Sequence, residues 1–268
     1  MPTGAGQVVL DFAALSVAGR VRAGNEDAIL CRADVRLWAV ADGMGGHQRG
    51  EVASAICVEV LAEAIDAGAD LSSAIVAANR RIIEADVQGS APAMGTTVVA
   101  VRFQDADFEL AWVGDSRAYL IDTSGIHQLS RDHSWVQAMV DAGEMSAEQA
   151  RNHPRRNVIL QCLGRDDEHL EIGLLQGRLG EAQLLLLCSD GLNGELADED
   201  IRQCCIQAKT LEALVQGLVE EANRKGGKDN ISCIVVGRRQ QPPVVMDQPR
   251  RFIDWLFKGR KISSGELP

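Results

Sequence analysis

The sequence predicts an α+β fold. Three observations carry this. Strand-like and helix-like segments arrive in blocks rather than in βαβ alternation, the helical segments carry an apolar stripe at 3.6-residue spacing, and several apolar runs of strand length sit beside an acid. A chain of 268 residues can bury a full core, and 46% hydrophobic with only 4% aromatic content points to aliphatic packing.

Residues 11–18, 27–33 and 35–41 read as strands, the last ending at Asp42. Residues 50–67 then fit a helix, with Val52, Ala53, Ile56, Cys57, Val60 and Ala64 on one face and acids mostly on the other. A second helix over 71–86 places Leu71, Ala74, Ile75, Ala78 and Ile82 on one stripe. The period then changes: TTVVAVRF (96–103), FELAWVG (108–114) and RAYLID (117–122) are strand-like, and DTSG (122–125) supplies a turn. Residues 131–165 are polar and read as irregular helix on a loop. QLLLLCSDG (183–191) is a buried strand ending on an acid, and a helix over 211–224 leads to KDNISCIVVG, a last strand beside another acid.

Charge and cysteines exclude several classes. The formal charge of −11 argues against a nucleic-acid binder. Seven cysteines, with no CxxC pair or zinc spacing and mostly inside apolar runs, are expected to be reduced thiols of a cytoplasmic protein. No basic N-terminal region precedes an apolar stretch and no apolar run approaches the length of a membrane span. The charge is uneven: residues 238–261 carry seven Lys/Arg against two acids. Residues 240–249, QQPPVVMDQP, read as a stiff linker. Beyond them RRFIDWLFKGRK has the composition of a basic amphipathic segment. It could touch an anionic membrane or a partner, fold back, or stay disordered. The division expected is a domain over 1–239 and a tail over 240–268.

Four acids share one context: Asp42 in VADGMGG, Asp115 in WVGDSR, Asp190 in CSDG and Asp229 in KDN. One alone is an ordinary strand-to-turn acid. Four together, brought to one place by strand ends, would repel one another and call for a hard cation such as Mg²⁺ or Mn²⁺.

The motifs SVAGRVRAGNED (16–27), VADGMGG (40–46), GTT (95–97), VGDSR (113–117), DHS (132–134), SDG (189–191) and DN (229–230) occur in that order. In them the chain resembles the bacterial metal-dependent serine/threonine protein phosphatases of the type 2C family, over about residues 11–237. The resemblance implies two packed antiparallel β-sheets flanked by α-helices, a four-layer αββα sandwich. It implies that Asp42 bridges two Mn²⁺ or Mg²⁺ ions, that Gly43 lends its carbonyl to the second, and that Asp190 and Asp229 complete the first. Asp115, with Asp190, would match a third and weaker site. Glu26 and Asp27 would stand behind the second ion, acting through waters, and the glycines would leave room for ions and phosphate.

Arg22 would clamp the phosphate with its planar fork, while Arg20 and Arg117 are read as structural or peripheral. Met44 stands where many relatives carry a histidine, so the usual proposed general acid is missing. His133 and His153 fall in the segment matching the family's flap; they are read as solvated loop histidines, the alternative being a proton donor. The activity implied is hydrolysis of phosphoserine and phosphothreonine in proteins, opposing a cognate Ser/Thr kinase. The acids and Arg22 argue against a silent phosphoprotein-binding scaffold, and the negative charge against a metal-dependent nuclease.

Overall fold

Alternation along Leu37–Met44 (β3) sets the architecture. Leu37, Ala39 and Ala41 pack on one side of the strand and Trp38 and Val40 on the other, all fully buried or nearly so. A strand apolar on both faces needs a layer on each. The structure, a computed structural model, describes residues 8–45, 49–86, 94–165 and 170–239.

In chain order the other elements are β1 (Leu10–Val17), β2 (Asp27–Arg32), α1 (Arg49–Asp66), α2 (Leu71–Asp86), β4 (Gly95–Thr96), β5 (Val98–Gln104), β6 (Asp107–Val113), β7 (Arg117–Asp122) and β8 (Gly125–Gln128). After them come α3 (Trp135–Asp141), α4 (Ala147–Arg151), β9 (Gly173–Arg178), β10 (Leu184–Cys188), α5 (Asp190–Asn193), α6 (Asp198–Gln207), α7 (Leu211–Lys225) and β11 (Ile231–Arg238). One sheet has the order β1-β11-β10-β7-β8. The other has β2-β3-β5-β6-β9, with β4 pairing β3. The ladders are antiparallel.

Three apolar layers hold the four structural layers together. Leu37, Ala39, Val98, Ala100 and Ala111 of the second sheet pack against Cys57, Leu61, Ile75 and Ile82 of α1 and α2. Trp38, Val99, Phe103, Leu110, Leu185, Leu187, Ile234 and Val236 fill the seam between the sheets. Leu186, Cys188, Cys233 and Val235 of the first sheet meet Leu214, Leu218 and Ala222 of α7. This is the αββα sandwich that the motifs implied.

Several boundaries differ from expectation. β3 continues through Asp42, because Gly43 and Met44 pair with Thr96 and Gly95. The run 96–103 breaks at Thr97, whose N–H donates to the Asp42 carbonyl at 2.9 Å. The run 183–191 ends as strand at Cys188, and Asp190 starts α5. Strands β8 and β9 and helix α6 were not anticipated. In β9, GLLQGR, a side chain at Gly173 would lie 2.1 Å from the Trp112 ring, so glycine there serves an aromatic across the ladder. The seven cysteines are free thiols, as expected. Among the described residues no helix is long and apolar enough to cross a membrane. The tail over 240–268 lies outside the described residues.

The seam between the sheets should dominate stability. Leu110 is fully buried and Leu174 is 53% exposed. Leu110→Ala is expected to lose about 2–5 kcal/mol in urea unfolding, and Leu174→Ala to stay within about 0.5 kcal/mol. Equal losses would show that the seam is not the principal core.

Candidate metal centre

At one end of the seam the side chains change chemistry. Along the seam-facing positions, Trp38 and Val40 are followed by Asp42, Leu185 and Leu187 by Ser189, and Phe12 and Ala14 by Ser16. Strands of opposite direction deliver theirs at their starts: Asp27 before Ile29, Thr97 before Val99, Ser116 before Ala118, Ser232 before Ile234. Register places all of these at the same end of their sheets, and hydrogen bonds join the sheets there. Thr97 Oγ1 and Ser116 Oγ are 2.7 Å apart. The hydroxyls of Ser189 and Ser232 donate to Asp27 Oδ2 at 2.8 and 2.6 Å.

Asp27 and Asp42 are directly opposed across β2–β3. The Asp42 backbone is fully engaged: its N–H donates to Thr97 Oγ1 at 3.1 Å, and its carbonyl accepts from Thr97 N and Thr96 Oγ1. Its carboxyl, already raised in pKa by desolvation, lies close enough to those of Asp27 and Asp190 for each to raise it further. Asp229 accepts from Arg22 Nη2 at 2.7 Å. Asn230 orients the loop that carries Arg22: its Oδ1 accepts Glu26 N–H at 2.8 Å, and its Nδ2 donates to the carbonyls of Ala18 and Gly24 at 3.2 and 2.8 Å. Sequence reasoning assigned only the acid of that DN pair and missed this asparagine.

The glycines answer to backbone contact. A Cβ at Gly43 would lie 2.1 Å from the Gly50 carbonyl oxygen and 2.4 Å from that of Glu26, so β3 and the start of α1 can meet only if Gly43 is bare. At Gly191 it would lie 1.9 Å from the Asn230 carbonyl oxygen, and this approach brings Asp190 beside Asp229. At Gly43, one of the glycines expected to leave room for ions and phosphate, the room is taken by the backbone of Gly50 and Glu26. Glu26 lies on the α1 side, its Oε2 close to Gly50, and its carbonyl accepts from Gly43 N and Ser54 Oγ.

Electrostatics mark the cluster. Desolvation, followed by the charges of Asp27, Asp190, Asp115 and Asp229, raises the Asp42 carboxyl well above its ordinary range. Asp115 is raised in the same way by desolvation and by Asp190 and Asp132. Asp27 and Asp190 are each pushed up to about 6, desolvation again being the larger cause. One oxygen of Asp27 and one of Asp115 are buried without a hydrogen-bond partner. Asp115 and Asp190 also line a cleft of about 390 Å³ whose other wall includes α3 and α4.

Among the described residues no three His, Cys, Asp or Glu side chains stand as a ready-made metal shell. The acids pair instead with one another and with Arg22. The donor set nonetheless fits a hard divalent cation: it is all oxygen, its charges repel, and two carboxyl oxygens lack any partner.

The two flap histidines are both half-buried, and each lies beside a tryptophan. His133 Nδ1 accepts Gly114 N–H at 3.3 Å, its ring lies 6.5 Å from Trp112, and burial lowers its pKa. The His153 ring lies 5.0 Å from Trp135, and the Arg155 guanidinium sits 5.2 Å from the same indole. Packing, rather than polarity along the chain, decides their environment. His47 and His169 lie outside the described residues.

A pH signature follows. The folded protein keeps protons on Asp27 and Asp190 up to about pH 6, whereas the unfolded chain releases them near pH 4. Folding therefore binds protons in that window, and this contribution to stability is lost as pH rises through it. In EDTA, the free energy of unfolding should be lower at pH 7.5 than at pH 5.5 by about 1–2 kcal/mol, and Tm should fall accordingly. Mn²⁺ should abolish the difference, and Asp27→Asn should raise the metal-free Tm at pH 7.5. A metal-free Tm that rises across this range would contradict the assignment.

Comparison with known proteins agrees with this geometry. Residues 20–234 match the family model described as protein phosphatase 2C. The serine/threonine protein phosphatase PstP of Mycobacterium tuberculosis is 38% identical over 239 residues, 85% of this chain and 45% of PstP, so the chain spans under half of that relative's length. The serine/threonine phosphatase stp of Listeria innocua is 35% identical over 238 residues, covering 82% of this chain and 92% of its own. The structure of the catalytic domain of PstP in complex with two manganese ions aligns with a TM-score of 0.76 at 34% identity, over 87% of this chain and all of that one.

Proposed function

The chain belongs to the protein phosphatase 2C family, and on that premise we propose that it hydrolyses phosphoserine and phosphothreonine in proteins at a site of Mn²⁺ or Mg²⁺ ions. The observation that carries this reading is the carboxylate cluster itself: Asp42 opposed to Asp27 across β2–β3, with Asp190, Asp115 and Asp229 near enough to raise its pKa. Asp42 would hold two ions, Gly43 would add its carbonyl, and Asp190 and Asp229 would complete the set. Asp115 with Asp190 would hold a third ion more weakly. When bound, the ions supply Lewis acidity: an attacking water that is deprotonated near neutral pH and charge to offset the phosphate.

Around that centre the chain's own residues bind and orient. Arg22 is half exposed at the mouth of the site and ion-paired with Asp229 through Nη2, so the rest of its fork is available to a phosphate monoester. Asn230 fixes the height of the Arg22 loop. Asp27, held by two serine hydroxyls, faces Asp42 from behind and orients water there; Glu26, on the α1 side, does so at greater remove. Met44 has no proton to give, and His133 and His153 are engaged in packing. A water therefore protonates the departing serine or threonine oxygen.

The implied partners are phosphorylated proteins and a Ser/Thr kinase whose products this enzyme reverses. Free thiols at all seven cysteines suit a cytoplasmic setting. The catalytic unit is taken as residues 1–239, since Arg239 still bonds Val9 and Asp11 at the edge of β1. The basic tail beyond it would serve partner or membrane contact rather than catalysis.

Hydrolysis of a phosphothreonine peptide should vanish in EDTA and return with Mn²⁺. Full activity in EDTA would sink the proposal. Asp42→Asn should cost about a hundredfold or more, with Asp115→Asn milder. His133→Gln and His153→Gln should each lose no more than about tenfold selectively on the peptide relative to an aryl phosphate. A variant losing the peptide alone a hundredfold would identify a general acid.

A further inference from the structure

Arg117 opens β7, two residues after Asp115, and its side chain is only 21% exposed. Nε donates to both Asp132 oxygens at 2.9 and 3.0 Å, and Nη2 donates to Oδ2 at 2.7 Å. Nη1 donates to the Tyr119 hydroxyl at 3.0 Å, and Gln128 Nε2 donates to Asp132 Oδ1 at 2.9 Å. A surface ion pair adds little, but a buried two-armed pair with its donors placed holds both partners in one geometry.

Asp132 lies where the chain leaves the sheet for α3 and α4. The stretch around it is fastened to the β6–β7 turn at several points. Trp112 Nε1 donates to the Arg131 carbonyl at 2.8 Å, and His133 N donates to the Gly114 carbonyl at 2.9 Å. Ala118 N donates to Ser130 Oγ at 3.0 Å. The segment returns beside its own start, where Trp135 N donates to Val158 O at 2.8 Å and Leu160 N to His133 O at 2.7 Å. Residues of α3 and α4 form one wall of the 390 Å³ cleft, and Asp115, Arg117 and Asp190 stand on the other.

We infer that Arg117 is a positioning residue: through Asp132 its guanidinium locks the α3–α4 segment to the strand end that carries Asp115, so that cation occupancy beside Asp115 and the placement of that wall are linked. The inference rests on the reading of Asp115 and Asp190 as cation ligands. Its physical basis is that one fixed charge serves two sets of acids. The guanidinium stays charged, and it stands on the same wall of the cleft as Asp115 and Asp190 while it is bonded to Asp132. A divalent ion beside Asp115 takes over the charge of the neighbouring acids and leaves the guanidinium to Asp132, which tightens the hold on the α3–α4 segment.

The test is amide hydrogen exchange on the full chain with and without Mn²⁺, comparing wild type with Arg117→Lys and Asp132→Asn. Lysine keeps the charge and loses the fork; asparagine keeps an acceptor and loses the charge. In wild type, Mn²⁺ should slow exchange in the α3–α4 segment by about threefold or more. In both variants that segment should exchange about tenfold faster without Mn²⁺ and no longer respond to it, while amides of β3 and β11 stay within about twofold of wild type. On a phosphothreonine peptide, Arg117→Lys should raise KM about fivefold with a smaller change in kcat. A wild-type segment indifferent to Mn²⁺, or a variant segment that keeps the wild-type response, would overturn the inference. Faster exchange spread equally over the core would do so too, by reducing Arg117 to general stability. Wild type without Mn²⁺-dependent hydrolysis would instead defeat the phosphatase reading, and the exchange data would still decide the role of Arg117.

Discussion

Carboxyl groups gathered at one end of an otherwise apolar seam are the constraint on which the rest of this structure depends. Asp27 and Asp115 are buried, and Asp42 and Asp190 stand beside them. Acids so placed either keep their protons or acquire a counter-charge. The fold supplies part of it: hydroxyls from Ser189 and Ser232 on Asp27, Arg22 on Asp229, and Arg117 near Asp115. What remains uncompensated is the electrostatic demand that a divalent cation would meet.

The apolar layers make that demand local. From Leu110 and Trp38 outward the seam is closed by aliphatic and aromatic side chains, and the seam-facing position at this end is polar on β1, β2, β3, β5, β7, β10 and β11. Strands in opposite directions reach this end at opposite termini. The two sheets are therefore stitched there by side-chain bonds, Thr97 to Ser116 and Asp27 to Ser189 and Ser232, rather than by further packing. Rigid strands then present the acids, while the loop carrying Arg22 and the α3–α4 segment shape the approach. This division suits a centre that must stay fixed while its approach is shaped by more adaptable segments.

Backbone proximity is the second requirement. Gly43 lets β3 touch the start of α1, and Gly191 lets Asp190 stand beside Asp229. Both glycines sit next to an acid of the cluster, so a substitution at either would displace a carboxylate by displacing main chain. That is a different failure from the loss of a carboxyl group, since every one would still be present.

Much of this was legible in the linear chain. The apolar runs, the two helical stripes and the four acids beside strands are local patterns, and β3, β7, α1, α2 and α7 lie within a residue or a few of where periodicity places them. Arg22, Asp42, Asp190 and Asp229 were recognisable because each sits in a short motif with its own glycine, asparagine or acid. The remaining features depend on residues far apart in sequence. Whether β9 is a strand depends on Trp112 lying over Gly173, and the role of Asn230 depends on carbonyls some two hundred residues earlier. The same holds for Asp132, whose partner Arg117 lies across a strand and a turn, and for His133 and His153, which look solvated by composition and are held against tryptophans. Sequence by itself determined which groups this protein has for its chemistry; tertiary structure alone decided which of them face one another, because register and burial belong to pairs of segments and neither segment encodes them separately.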